Sequence, residues 1–207
     1  MRIFSLLAIS LLLPLAGQAV PTGLNMMPTA EALGSAETRL DLETTGSGKL
    51  YVPTGNALFG SEAGVALGIE GGIDQLSNSG TRYNAKWVFM GEGLVLPAIA
   101  FGGQNFGAGA RPEYYAVATK TIVPAGLVKA HAGVMRVISD NVLMLGVSAH
   151  LGPIALKADR LSGGPRDGEA ISAGFTWKNL TISGTRYDYR FIKDTNTLTL
   201  SYSYKPF

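Results

Sequence analysis

The stretch Thr197-Leu198-Thr199-Leu200-Ser201-Tyr202-Ser203-Tyr204 decides the fold. Successive side chains of an extended chain point to opposite sides. Leu198, Leu200, Tyr202 and Tyr204 therefore share one face, and Thr197, Thr199, Ser201 and Ser203 share the other. The period recurs upstream. Ile171, Ala173, Phe175 and Trp177 oppose Ala170, Ser172, Gly174 and Thr176, while Leu143, Leu145, Val147 and Ala149 oppose Met144, Gly146, Ser148 and His150. Val128, Ala130, Ala132 and Val134 oppose Lys129, His131, Gly133 and Met135, and Val65, Leu67 and Ile69 oppose Ala66, Gly68 and Glu70. Gly, Asn, Asp and Pro break these runs at regular intervals, and no segment shows a helical period. That is the pattern of an all-β domain.

The chemistry of the two faces narrows the class. A soluble sandwich presents bulky polar residues on its wet side. Here the polar face carries Gly, Ala and Ser among charges of both signs, as a narrow closed barrel requires where side chains converge on one axis. Apolar-out and polar-in with a period of two marks a transmembrane barrel. The expected fold is a closed antiparallel up-and-down transmembrane β-barrel. Its strands are expected at 36–45, 49–58, 63–72, 82–90, 94–104, 113–121, 127–136, 141–149, 153–161, 169–177, 179–191 and 197–205. Twelve strands result. Ten is the alternative, because 49–58 contains Pro53 and Gly55 and is the weakest segment.

Composition agrees. Of 207 residues, 15% are charged and 27 are glycine, against about 25% charged and about 7% glycine in ordinary soluble domains. A formal charge of +2 gives no reason to expect nucleic acid. The absence of cysteine excludes disulfide staples, thiol nucleophiles, zinc ribbons and a lipidated cysteine. Met1-Arg2, the apolar run Phe4 to Leu15 and Gly17-Gln18-Ala19 read as a signal peptide over 1–19. Residues 20–35 form an N-terminal segment, placed at the periplasmic mouth or as a plug in the lumen, and 36–207 the barrel domain. The expected location is the cell outer membrane. The expected partners are outer-membrane lipid and the barrel-assembly machinery, which reads an aromatic end on an amphipathic strand. Phe207 supplies that end, although Lys205-Pro206 puts it out of phase.

The inward charges and the aromatics are the candidate functional residues. Glu37, Arg39, Asp41, Glu43, Glu70, Lys86, Lys120, Lys129, His131, Lys157 and Asp159 are expected to face the lumen, as a space-filling network of opposite charges or as the lining of a narrow hydrated pore. Trp87, Trp177, Tyr187, Tyr189, Tyr202 and Tyr204 are candidates for an aromatic girdle at the membrane interface. A barrel hydrolase needs a nucleophile, a base and a group that orients the base. Ser148, His150 and Asp159 are the nearest approach to such a set, and ordinary lumen polarity explains them more simply. Two isolated histidines among scattered carboxylates make no metal site, and no helix follows Gly71-Gly72, Gly102-Gly103 or Gly163-Gly164 to make a phosphate loop. No cofactor is expected.

A family resemblance adds to this. Pro21-Thr22-Gly23-Leu24-Asn25-Met26-Met27-Pro28-Thr29-Ala30 resembles the GL-x-x-x-PTA opening of the YjbH-like outer-membrane β-barrel proteins, which are associated with exopolysaccharide. Tyr83-Asn84-Ala85-Lys86 and Leu96-Pro97-Ala98-Ile99-Ala100-Phe101-Gly102-Gly103-Gln104-Asn105-Phe106-Gly107 are similar to a later stretch of that family, with Asn105 where it has Asp. Tyr115-Ala116-Val117-Ala118-Thr119-Lys120 and His131-Ala132-Gly133 are similar to its next hairpin. The resemblance covers about residues 21–135 and implies an outer-membrane barrel without a catalytic set. Family members are often much longer than this chain, and some are lipoproteins.

The function expected is non-enzymatic: a structural or porin-like barrel for passage or export of small solutes or saccharides. Two alternatives come from other classes. One is a soluble exported β-barrel with its apolar faces turned inward around an apolar ligand, and the other is a lipid-modifying barrel enzyme using His150 and Ser148.

Overall fold

The computed structural model describes residues 23–47, 53–76, 80–107, 111–123, 127–191 and 194–205. The expected signal peptide over 1–19 and the terminal Phe207 lie outside them. Twelve strands occur among the described residues: β1 (Thr38–Ser47), β2 (Pro53–Val65), β3 (Ile69–Leu76), β4 (Gly80–Met90), β5 (Ala98–Gly107), β6 (Glu113–Val123), β7 (Val128–Val137), β8 (Asp140–Leu151), β9 (Ile154–Ser162), β10 (Gly168–Trp177), β11 (Leu180–Tyr189) and β12 (Thr195–Tyr204). Each pairs antiparallel with its neighbours in sequence. The first and last strands pair as well, from Thr38 opposite Tyr204 to Ser47 opposite Thr195, which closes the barrel.

Some strand bounds differ from expectation for local reasons. The run through 63–72 is two strands. A 3-10 turn at Ala66–Gly68, with Leu67 and Gly68 at φ 67 and φ 74, folds Ile69 back against Val65. The alternation of Val65, Leu67 and Ile69 thus runs through a reversal. The segment expected at 94–104 starts at Ala98, after Pro97, which has no N–H for the ladder. Leu94, Val95 and Leu96 are exposed in the connection instead.

The chain enters β1 and leaves β12 at one end of the barrel, here the terminal end, where the β2–β3, β4–β5, β6–β7, β8–β9 and β10–β11 connections also lie. Large apolar side chains face outward around the barrel. Leu40, Leu42, Ile73, Leu143, Leu145, Leu156, Ile171, Phe175, Ile182, Leu198 and Leu200 are exposed around the barrel. The soluble reading needed these residues inside around a ligand, and their outward placement overturns it. An apolar belt of this extent far exceeds the few hundred Å2 patches that soluble monomers expose. It suits acyl chains. No helix among the described residues is long and apolar enough to cross a membrane.

Aromatics sit towards both rims of the belt. Trp87, Phe89, Trp177, Tyr202 and Tyr204 point outward near the terminal end, with Phe89 edge-on to Trp87 at 5.3 Å between ring centroids. At the far end a bulge at Asn105, with φ 62, turns Phe106 outward to meet Tyr114 at 5.8 Å. Exposed ion pairs lie towards the far end, such as Arg160 with Glu169 at 3.9 Å.

A barrel closed by twelve ladders unfolds only when the whole network goes. In detergent, the unboiled protein is expected to run at a different position from the boiled protein on a denaturing gel. Identical mobility would contradict a closed barrel.

Candidate functional site

The lumen is built from two unlike walls, and the N-terminal segment lies against one of them. Across β5 to β10 the inward residues Ala100, Tyr115, Val117, Met135, Val137, Val142, Met144, Leu161 and Ala170 are buried and apolar, and Met26 and Met27 join their core. This half of the interior is packed like the core of a soluble protein. Each Val, Leu or Met side chain fully buried there contributes about 1.5–3 kcal/mol relative to leaving it in water. Buried polar side chains share these strands, among them Gln104, Glu113, Thr119, His131 and Ser148, so the expected polar lumen is here interleaved with apolar packing.

Wall side chains anchor the backbone of residues 23–34 at several heights. Asp159 of β9 accepts hydrogen bonds from the N–H groups of Met26 at 2.6 Å, Met27 at 2.9 Å and Asn25 at 3.3 Å, and from the Asn25 side-chain amide at 2.7 Å. These donors belong to a tight turn closed by the Leu24 N–H on the Met27 carbonyl, with Gly23 bridging Pro28. Lys157 donates to the Gly23 carbonyl at 3.0 Å. Further along, the Ala30 N–H donates to Thr119 Oγ1 at 2.9 Å, Lys129 pairs with Glu31, and the Leu33 N–H donates to Glu70 Oε2 at 2.9 Å. The other oxygen of Glu70 faces Lys86 Nζ at 3.4 Å, and both side chains are fully buried. A buried ion pair of this kind needs additional hydrogen bonds to offset desolvation, and the Leu33 amide supplies one.

Two glycines make room for this segment. A Cβ on Gly146 of β8 would stand 2.2 Å from Leu24 Cδ1, and one on Gly64 of β2 would stand 2.1 Å from the Gly34 carbonyl oxygen. A larger residue at Gly64 would push the segment's backbone off its seat, whereas at Gly146 the Leu24 side chain would have to turn aside.

The opposite wall is hydrophilic. On β10, β11 and β12 the inward positions include Ser172, Thr176, Thr181, Ser183, Thr185, Thr199, Ser201 and Ser203, and β1 adds Arg39, Asp41 and Glu43. With Lys157, His150, Tyr187 and residues 23–25 these enclose a cavity of about 310 Å3 between the N-terminal segment and the β10–β1 wall. Arg39 Nε donates to Asp41 at 2.9 Å, and the Thr199 hydroxyl donates to Glu43 at 3.3 Å. Hydroxyl groups both donate and accept, so this wall can exchange hydrogen bonds with water or a polar solute along its height.

The expected lumen residues divide by environment. Asp41, Glu70, Lys86, His131 and Asp159 are buried inside; Arg39, Glu43 and Lys157 line the cavity; Lys129 meets Glu31 on the N-terminal segment. Glu37 closes the turn at the mouth by accepting the Gly34 N–H at 3.0 Å. Lys120 is a correction. The inward positions of β6 are Glu113, Tyr115, Val117 and Thr119, so Lys120 lies on the other face. It donates to the carbonyls of Gly93 and Leu94 at 2.6 and 2.9 Å and pairs with Glu92 at 3.1 Å. The Thr121 N–H and hydroxyl, donating to Glu92, hold that exposed carboxyl down at about 2.

Tyr187 and Tyr189 are a second correction. Ile182, Arg186 and Asp188 take the outer face of β11, so both tyrosines point inward. They stack on each other at 5.8 Å, and Tyr187 borders the cavity. The interior hydroxyl row has no distinguishing mark in the sequence, where it reads as the unremarkable side of alternating strands, and the two tyrosines read there as rim aromatics.

The hydrolase set is not assembled. Ser148 meets His131, not His150, with Ser148 Oγ 3.0 Å from His131 Nε2 and Thr119 Oγ1 3.0 Å from Nδ1. Ser148 and His131 are only 3% and 2% exposed, so a lipid chain has no route to them. Asp159 is occupied by the N-terminal turn. No group of three metal-ligating side chains occurs among the described residues.

No protein-family description and no curated protein matches the chain. Among solved structures it is similar to the KdgM porin, solved both alone and in complex with disordered oligogalacturonate. In each comparison the identity is 10% and the TM-score 0.57, over 82% of this chain and 99% of that one. It also matches a triple mutant of the Rhodopseudomonas blastica porin at 10% identity and TM-score 0.43, over 77% of this chain and 62% of that one. At such identity the likeness is one of fold, and function has to be argued from the site.

Asp159 is the strongest anchor of the N-terminal turn. Asp159→Ala leaves the Met26 and Met27 amides without their acceptor, at about 1–3 kcal/mol for each buried donor. Amide exchange at these two residues is expected to accelerate by roughly tenfold or more, the ratio corresponding to about 1.4 kcal/mol. Exchange in the β1–β12 ladder should not change. Unaltered exchange at Met26 and Met27 would show that the carboxylate is not their anchor.

Proposed function

We propose that the protein is a non-enzymatic barrel of the bacterial outer membrane that passes small hydrophilic solutes, saccharides among them, along the β10–β1 side of its lumen. The observation that carries this reading is the hydroxyl-lined cavity running beside a docked N-terminal segment, inside a barrel whose outer face is apolar. A lumen serving only to hold the barrel together has no need of a hydrated wall opposite a dry one. The shared fold with KdgM supports the reading, and so does the bilayer's demand that every spanning backbone group be paired within the protein. Residues 23–34 then act as a resident constriction that narrows the path without filling it.

Kinship with the YjbH-like family belongs to the same proposal. The stretches that carry the resemblance meet inside the barrel, where Ala30 of the first donates to Thr119 of another, and Thr119 contacts His131 of a third. A link to polysaccharide export would follow from that kinship. The expected encounters with outer-membrane lipid and the barrel-assembly machinery rest on the belt and on the amphipathic last strand.

Reconstitution in a planar bilayer tests the passage reading. The full-length mature protein is expected to give small, discrete conductance steps. Removal of residues 23–33 should raise the step size several-fold, and Tyr187→Ala should raise it less. A barrel that inserts, shows the boiling-dependent gel shift and never conducts, with or without residues 23–33, would overturn passage in favour of a structural role.

A further inference from the structure

The cavity's size and charge balance point to a solute class, an inference that rests on the passage reading. At about 310 Å3 it falls at the small end of ligand-sized cavities, about 300–1,000 Å3, room for one small molecule at a time. Four charged side chains line it, the cations Arg39 and Lys157 and the carboxylates Asp41 and Glu43. Their formal charges cancel. Each cation is also engaged locally, Arg39 with Asp41 at 2.9 Å and Lys157 with the Gly23 carbonyl at 3.0 Å. Such a path has no net field to draw in an anion, and although Lys157 keeps donors to spare, the Asp41 and Glu43 carboxylates in the same lining oppose an entering carboxylate.

What the cavity does offer is a dense array of neutral groups that donate and accept. Ser183, Thr185 and Ser201 project into it from adjacent strands, and Tyr187 and Leu24 add two apolar surfaces at its border. A sugar or polyol has the matching chemistry, with hydroxyls for the wall and a C–H face for the tyrosine ring. We infer that the transported solute is neutral and polyhydroxylated, a monosaccharide or polyol, and not an acidic sugar of the kind bound in the KdgM complex.

Galactose and galacturonate separate the possibilities, since they differ only in the oxidation state of C6. Swelling of liposomes carrying the folded full-length mature protein is measured with each solute at equal osmolarity and neutral pH. Galactose should enter roughly tenfold faster than galacturonate, whose carboxylate loses water on entry and meets the Asp41 and Glu43 carboxylates. Asp41→Asn with Glu43→Gln makes the cavity net positive and should raise galacturonate entry relative to galactose. Galacturonate entering the wild-type barrel as fast as galactose, or faster, would overturn the solute class while leaving passage intact. Swelling no faster than protein-free liposomes with either sugar would overturn the passage reading, and the solute class with it.

Discussion

Pairing of β1 with β12 is the contact on which everything else depends. Hydrocarbon supplies no hydrogen bonds, so a strand edge left open in the bilayer would strand a row of N–H and C=O groups at several kcal/mol each. The ladder from Thr38 opposite Tyr204 to Ser47 opposite Thr195 removes that edge. Closure then fixes which face is which. Leu40, Leu42, Leu198, Leu200 and Tyr202 must meet lipid once Arg39, Asp41, Glu43, Thr199 and Ser201 turn inward, since the side-chain period is two and a one-residue slip would exchange the faces.

A barrel this narrow has to solve a second problem, which is what occupies its axis. The chain uses two solutions side by side. Across β5 to β10 it builds a dry core from Met135, Val142, Met144 and Leu161 and completes it with Met26 and Met27 from its own N-terminal segment. Along β10 to β1 it uses serine and threonine, which are short enough to leave a cavity and polar enough to keep it wet. The Asp159 carboxylate stands between the two and holds the turn at residues 24–27 against the dry wall. A structural anchor on one side is thus the condition for an open, hydroxyl-lined space on the other.

The architecture was legible in the sequence because lipid imposes a simple rule on the outer face. The alternation at 197–204 and at 169–177 carries it, and twelve strands follow from repetition. The 3-10 reversal at Ala66–Gly68 was hidden because Val65, Leu67 and Ile69 keep the same period through it. The interior obeys no such rule. Tyr115 and Val117 point inward on β6 because its pairing with β5 and β7 sets that phase, Met26 and Met27 share the core they join, and Lys120 falls on the outer face. Tyr187 and Tyr189 depart from the expected girdle for the same reason, the phase of their strand. Aromatic side chains suit a membrane rim, but the phase set by Ile182, Arg186 and Asp188 turns both tyrosines into the lumen. The pairing of Ser148 with His131, not with His150, likewise depends on which strands become neighbours and on how far along each strand the residues lie.

Cross-linking across the seam tests closure most directly, and a chain without cysteine is well suited to it. Cysteines replacing Leu42 and Leu200, which are directly opposed on the outer face, should be joined by a short bifunctional thiol reagent in the folded, membrane-embedded protein. The pair Leu42→Cys with Tyr204→Cys, displaced along the same seam, should not be. Equal yields from both pairs, or none from Leu42 with Leu200, would mean that β1 and β12 do not close the barrel in this register. The assignment of inner and outer faces built on it would then fail.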